Sequence, residues 1–321
     1  MTTPVPSSHA PSPRPLLLLD TASLYFRAFF GVPDSVKAPD GTPVNAVRGL
    51  LDMVARLVTA RRPAGLVACW DDDWRPEFRV RAIPTYKEHR LAADGAEEVP
   101  DALTAQIPVI VEVLEAFGIA RVGAPGFEAD DVIGTLTARE TARPDAERRA
   151  VEVVTGDRDL FQLVDDAAPV RILYTARGIG DLDVVDQPRL AEKYGVRDGA
   201  AYADLATLRG DSSDGLPGVA GIGEKTAAAL LHRYGTLDGV LRALEHGDPG
   251  LTTAQRRRLT EGLEYLAVAP AVVRVARDAP VADADDAVPR TPADHERLVA
   301  LAQRWGLTSS VTRLVDALAA G

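Results

Sequence analysis

Ten acidic residues stand where their carboxylates could act together on one reacting centre. They are Asp20, Asp71, Asp72, Glu128, Asp130, Asp131, Asp157, Asp159, Asp211 and Asp214. Three apolar runs that read as strands lead into acids. Leu16 to Leu19 runs into Asp20, Leu66 to Trp70 into Asp71, Asp72 and Asp73, and Val151 to Val154 into Thr155-Gly156-Asp157-Arg158-Asp159. A lone aspartate after a strand has a bland reading, as a solvated loop residue or a helix cap. Acids at the end of every such strand form a pattern. Carboxylates brought together repel and raise one another's pKa, so a cluster of them calls for a cation.

Two more groups join them. Glu128, Asp130 and Asp131 open a helix, where negative charge also suits the N-terminal dipole; capping explains one or two acids better than three. Glu128 with Asp131, and Asp211 with Asp214, have the i,i+3 spacing that lets both side chains face one way. All-oxygen sites suit Mg²⁺ or Mn²⁺ and not zinc, and the five histidines show no zinc spacing. More acids than one ion requires points to two ions, about 3.5–4 Å apart, the arrangement used for in-line phosphodiester cleavage.

The elements that must position these acids alternate. Val47, Leu50, Leu51, Val54, Leu57 and Val58 recur at helical spacing, as do Val109 to Phe117 before Gly118, and Val132, Ile133 and Leu136 after Glu128. Short continuous apolar strands between helices predict an α/β fold with a mostly parallel sheet covered on both faces. In such sheets functional groups gather beyond the carboxyl ends of the strands. After about residue 190 the chain turns to small helices with Gly-rich joints; 278–294 reads as an irregular link with one short strand, and a closing helix over 295–319 is interrupted at Gly306. Residues 1–15, rich in Pro and Ser, read as a disordered tail.

The 321 residues carry 46% apolar and 26% charged side chains, an ordinary globular balance. With 5% aromatics, rows of stacked bases are not the first expectation. The single Cys69 excludes an internal disulfide, fits a reducing cytosol and reads as a core thiol. Leu16–Leu19 is too short for a signal sequence or a membrane span, so the expectation is a cytosolic protein with no membrane partner. A net charge of −11 disfavours nucleic acid at face value, unless bound cations invert the local field and a local basic patch makes the contact. Arg75, Arg79, Arg81, Tyr86, Lys87 and Arg90 are that candidate patch, with a solvated basic helix as the plain alternative.

Gly218-Val219-Ala220-Gly221-Ile222-Gly223-Glu224-Lys225-Thr226 invites comparison with a phosphate-binding Walker loop. It fails, because Glu224 separates Lys225 from Gly223 and a turn, not a strand, precedes it. A helix–hairpin–helix, whose hairpin amides face a DNA phosphate, fits better.

Taken together, Leu18-Leu19-Asp20 with Arg27, Phe78-Arg79 with Tyr86-Lys87 and Arg90, Glu128-Ala129-Asp130-Asp131, Thr155 to Asp159, and Gly210-Asp211 through Gly223-Glu224-Lys225-Thr226 resemble the bacterial 5′→3′ exonuclease and flap endonuclease family. That family includes the 5′-nuclease domain of DNA polymerase I; the resemblance spans about residues 16–275, and the chain looks like a stand-alone member. It implies a PIN-like catalytic core over 16–187 with a helical arch over about 78–105, a helix-three-turn-helix DNA-binding region over 188–275, and a C-terminal segment, 276–321, packed on the core. It also implies hydrolysis that depends on two Mg²⁺ or Mn²⁺ ions and leaves 5′-phosphate products. The partner it implies is DNA with 5′ ends, flaps, nicks or gaps, or RNA primer hybrids, in replication or repair near the bacterial nucleoid.

Carried over by position, one metal set is Asp20, Asp71 or Asp72, Glu128 and Asp130, and Asp131, Asp157, Asp159, Asp211 and Asp214 complete or support the second. The strand end selects Asp71, whereas counting back six residues from Phe78-Arg79 selects Asp72. Lys87 and Arg79 would neutralise the scissile phosphate, Tyr86 would stack on a base, and Arg27 and Arg90 would hold DNA. Gly218, Gly221, Gly223, Lys225 and Thr226 would meet the duplex backbone, with K⁺ as a bridging cation at the hairpin. Two other readings carry less of the sequence: a catalytically silent DNA-junction binder, which would have lost acids, and a PIN-type ribonuclease, which would lack the glycine hairpin.

Overall fold

The computed structural model describes residues 14–93 and 95–320. The tail expectation falls mostly on residues 1–13, outside the described residues, but Pro15 belongs to the fold: it is buried and its carbonyl accepts from Ala64 N at 2.8 Å.

Six strands form one sheet: β1 (Leu16–Asp20), β2 (Gly65–Cys69), β3 (Ala120–Val122), β4 (Val151–Thr155), β5 (Val170–Tyr174) and β6 (Asp183–Val185), in the order β3-β2-β1-β4-β5-β6. The first five run parallel and β6 is an antiparallel edge. β1, β2 and β4 are the strands that the apolar runs predict. β3 and β6 are three residues each, too short to stand out as apolar runs, and β5, like β4, carries one charged residue.

The fourteen helices are α1 (Thr21–Gly31), α2 (Asn45–Arg61), α3 (Glu77–Ala82), α4 (Asp101–Thr104), α5 (Ile107–Phe117), α6 (Ala129–Thr141), α7 (Gln187–Tyr194), α8 (Gly199–Arg209), α9 (Glu224–Tyr234), α10 (Leu237–Glu245), α11 (Thr253–Glu261), α12 (Leu263–Val273), α13 (His295–Arg304) and α14 (Thr308–Ala320) among the described residues. Alternation along β1 divides the core between the two faces of the sheet. Leu16 and Leu18 pack with α6, α8 and the hairpin helices, while Leu17 and Leu19 pack with α2, α5 and α14. Cys69 lies in the first core, fully buried, and burial pushes its thiol well above the usual range. α13 and α14 cover the second face, divided at Gly306 (φ 64°). The link over 278–294 contains no strand among the described residues; Ala287 makes only an isolated bridge to Gly65.

Chain order places a switch point beside β1. The chain proceeds from β1 outward to β2 and β3, then returns to β4 on the other side. A crevice must open beyond the carboxyl ends of β1 and β4, where Asp20 and Thr155 stand.

Candidate functional site

A cleft of about 950 Å³ occupies that crevice, lined on its floor by Asp20, Asp71, Glu128, Asp130 and Asp157, with Asp72 also in its lining. Asp20 caps α1, accepting from Ser23 N at 3.1 Å and from Thr155 Oγ1 at 2.6 Å. The helix cap thereby aims one carboxylate from β1 toward β4. Asp71, at the end of β2, accepts from Ala129 N at 2.8 Å, which ties it to the start of α6. Asp72 instead rests over the Gly123 backbone, where a Cβ would stand 2.5 Å from its Oδ1. Asp71 thus joins the acids nearest Asp20, and Asp72 lies at the cleft's side.

The electrostatics fit an unneutralised acid cluster. Burial, then Asp71 and Asp157, raise Asp20 to about 7 against its hydrogen bonds with Thr155 and Ser23. Burial also takes Glu128 to about 7, although Lys87 and Arg79 oppose the shift. Asp130 is pushed well above the carboxylate range by burial and by Asp20, Asp157 and Glu128. Asp159 is raised likewise, by burial and by Asp157, Asp214 and Asp211. Asp157 therefore stands between two groups: Asp20, Asp71, Glu128 and Asp130 on one side, and Asp159, Asp211 and Asp214 on the other. Among the described residues no three of these side chains close around a single point. Crowded, partly dehydrated, all-oxygen donors are nevertheless the set a hard divalent cation satisfies.

Three expected residues have other work. Arg79 is not free to meet a phosphate, because it is 2% exposed, holds Asp131 through bonds of 2.7 and 2.6 Å, and donates to Val272 O at 3.0 Å. Asp131, 0% exposed, also accepts from Glu128 N and Ala276 N, so it is a helix cap and ion-pair partner and not an ion ligand. Tyr86 is buried and donates its hydroxyl to Glu128 at 2.9 Å, leaving no ring face for a base. The sequence misleads on all three for one reason: charge and aromaticity are visible in it, but burial is not.

Lys87 does reach the cleft. Its Nζ donates to Glu128 Oε1 at 2.9 Å; burial opposes its charge, but Glu128, Tyr86 and Asp214 hold its pKa well above the usual value. Arg27 and Arg90 line the same cleft. The segment expected to arch over it is mostly non-helical. After α3 it holds one 3₁₀ turn at Glu88–Arg90, a Leu91–Glu97 bridge and the four-residue α4. Pro84, Gly95 and Pro100 interrupt any longer helix there.

Sequence reasoning missed Ser23, whose hydroxyl accepts from Gly156 N at 2.8 Å, and Thr155, which orients Asp20. It also missed the aromatic part of the cleft lining, Phe26, Phe30, Trp70 and Trp74. Phe30 is 73% exposed. Low aromatic content hid them.

The hairpin lies between α8 and α9. Gly218 (φ 64°) sits so close to Arg209 and Gly210 that a side chain would overlap their backbone, and Gly221 (φ 78°) lies under Arg258, which donates to its carbonyl at 2.9 Å. Gly223 caps α9, and Lys225 beside it is exposed.

Residues 15–195 match the family described as 5'-3' exonuclease, N-terminal resolvase-like domain, and residues 198–296 match 5'-3' exonuclease, C-terminal SAM fold. The chain belongs to the 5'-3' exonuclease family and is a nuclease. It is 62% identical over 309 residues to a 5'-3' exonuclease of Streptomyces coelicolor, covering 95% of this chain and 100% of that one. It is 52% identical over 316 residues to a 5'-3' exonuclease of Mycobacterium tuberculosis, covering 95% and 98%. DNA polymerase I of M. tuberculosis is 36% identical over 306 residues, but the match covers 95% of this chain and only 32% of the polymerase. In fold the chain is similar to the bacteriophage T5 D15 flap endonuclease solved with DNA and metal ions (TM-score 0.62, 17% identity, 95% and 99% covered). Human GEN1 bound to Holliday junction DNA is similar as well (TM-score 0.62, 15% identity, 94% and 72% covered).

Proposed function

We infer that this nuclease acts on DNA at 5′ ends, flaps and nicks, hydrolysing phosphodiesters to 5′-phosphate products with two divalent cations, Mg²⁺ or Mn²⁺. The observation that carries this reading is one cleft at the sheet's switch point with Asp20, Asp71, Glu128, Asp130 and Asp157 on its floor and Lys87 at its rim. Asp20, Asp71, Asp130 and Glu128 would hold one ion, and Asp157, Asp159 and Asp211 the other. When bound, such ions neutralise the attacking and leaving oxygens of an in-line displacement.

The chain's own side chains do the rest. Lys87, released from Glu128, offers its ammonium to the scissile phosphate. Arg27, on the cleft wall, holds a neighbouring phosphate. Phe26, Phe30, Trp70 and Trp74 receive unpaired bases by stacking. The hairpin amides and Lys225 seat the duplex backbone, with a monovalent cation such as K⁺ between them. The name of the T5 relative, a flap endonuclease solved with DNA and metal ions, supports the reading. Primer hybrids in replication or repair, in the bacterial cytosol, are the setting it suggests. No helix among the described residues is long and apolar enough to cross a membrane.

Purified protein with Mg²⁺, offered 5′-flap DNA, nicked duplex and single-stranded RNA, tests this. Cleavage of both DNAs, abolished by a chelator, is expected. Tight flap binding without cleavage would favour a silent junction binder, and preferential cleavage of the RNA a ribonuclease.

A further inference from the structure

The loop that follows β2 meets Lys87 at both of its ends. Trp74 O accepts from Lys87 Nζ at 3.4 Å, and Arg75, the next residue, holds the backbone just ahead of Lys87. Arg75 Nε donates to Tyr86 O at 2.6 Å, and its Nη2 to Pro84 O at 2.8 Å. Pro84 and Tyr86 lie between α3 and the 3₁₀ turn at Glu88–Arg90, where carbonyls need donors from outside the segment. The loop itself is pinned to the start of α6. Asp71 accepts from Ala129 N at 2.8 Å, Asp73 N donates to Phe127 O at 3.1 Å, and Asp73 Oδ1 accepts from Arg75 N at 3.0 Å. The Tyr86 carbonyl belongs to the peptide group that enters Lys87. Lys87 then turns to φ 49°, a left-handed conformation that a lysine keeps only where its surroundings impose it. Among the described residues Trp74 and Lys87 line the cleft and Arg75 does not.

The geometry points to Arg75 as a positioning residue: its two bonds tie the Asp71 loop to the peptide ahead of Lys87, and so fix the cleft ammonium against the acids of β2 and α6. This rests on the nuclease reading above and deepens it. Arg75 leaves the expected basic patch and becomes a strut, its Nε and Nη2 donating to backbone carbonyls and not to a phosphate. Arginine suits the task because its planar fork holds two acceptors in one fixed geometry, which a lysine ammonium does not. A displacement of Lys87 by about 1 Å is enough to matter, since misplacements of that size cost about 100-fold in rate.

The test uses the full chain with Arg75→Ala, Arg75→Lys, Lys87→Ala, or Arg75→Ala and Lys87→Ala together. Hydrogen exchange of the 84–91 peptide, without DNA or metal, should quicken in Arg75→Ala. Single-turnover cleavage of a flap should fall roughly 10- to 100-fold in that variant, with Kd for the flap changed less than about threefold. Arg75→Lys should lie between it and the wild type, and decides the matter if Arg75→Ala fails to fold. On top of Lys87→Ala, Arg75→Ala should slow cleavage by less than about twofold. The slope of log Kd against log salt should match the wild type, and Mn²⁺ affinity by calorimetry should not change. A slope shallower by about one would make Arg75 a phosphate contact and overturn the inference. Weakened Mn²⁺ binding would overturn it too, by placing the effect on the acids. So would unaltered exchange, a wild-type rate in Arg75→Lys, or multiplicative loss in the double variant. Wild-type protein that cleaves nothing while Arg75→Ala still quickens exchange would instead sink the nuclease reading alone.

Discussion

Arg79 grips Asp131 with both terminal nitrogens, at 2.7 and 2.6 Å, with the two residues 2% and 0% exposed. Arg79 also approaches Glu128 Oε2 at 3.2 Å, so the ion pair is the buried wall behind the cleft and not part of its floor.

Removing one member of such a pair strands a charge without solvent. Asp131→Ala and Arg79→Ala should each destabilise the fold by about 3–5 kcal/mol, read as a lower urea midpoint. Replacing both together by apolar residues should recover part of the loss. A midpoint unchanged in both single variants would mean that the pair is water-exposed in solution.

Asp130 has the opposite character. Its neighbours Asp20, Asp157 and Glu128 all disfavour its charge. Asp130→Asn should therefore abolish flap cleavage, leave DNA binding in place, and raise the thermal midpoint of the metal-free protein. Retained turnover across a Mg²⁺ titration would remove Asp130 from the site.

Lys87 meets the floor acids from the cleft itself, its Nζ donating to Glu128 Oε1 at 2.9 Å. Lys87→Ala should slow single-turnover cleavage by about 10²-fold or more while weakening flap binding far less. An unchanged rate would reject its role at the phosphate.

The raised acids carry a pH signature. Asp20 and Glu128 lie at about 7 in the folded chain, against ordinary values near 3.8 and 4.5. Between those values and pH 7 the folded state holds protons that the unfolded chain has released. Stability of the metal-free protein should thus fall as pH rises through this window. Divalent cations should restore more stability at pH 8 than at pH 6, and their binding should release protons measurable by calorimetry in buffers of different ionisation enthalpy. A midpoint that is flat in pH under chelator would contradict the acid cluster.

Phe30 stands exposed in the cleft lining. Phe30→Ala should leave thermal stability nearly unchanged and weaken binding of single-stranded 5′ flaps by about 1–3 kcal/mol, the scale of one stacked base. Equal affinities of the two proteins for a flap would show that Phe30 does not stack on a base.

Several features could be read directly along the chain. Asp20, Asp71 and Asp157 were legible as neighbours because each closely follows a largely apolar strand, and parallel strands deliver their carboxyl ends to the same edge. The hairpin was legible because glycines at that density have few other uses. Only the tertiary structure separated Asp130 from Asp131, adjacent residues of which one enters the cleft and the other meets Arg79 in the core. Only it turned Arg79 and Tyr86 inward, and brought Phe30, Trp70 and Trp74 to the lining of one cleft. Strand order and helix spacing are written locally, in the alternation of apolar and polar residues. Whether a charge meets water, an ion or a buried partner depends on what the rest of the chain packs against it, and that is settled by contacts between residues far apart in sequence.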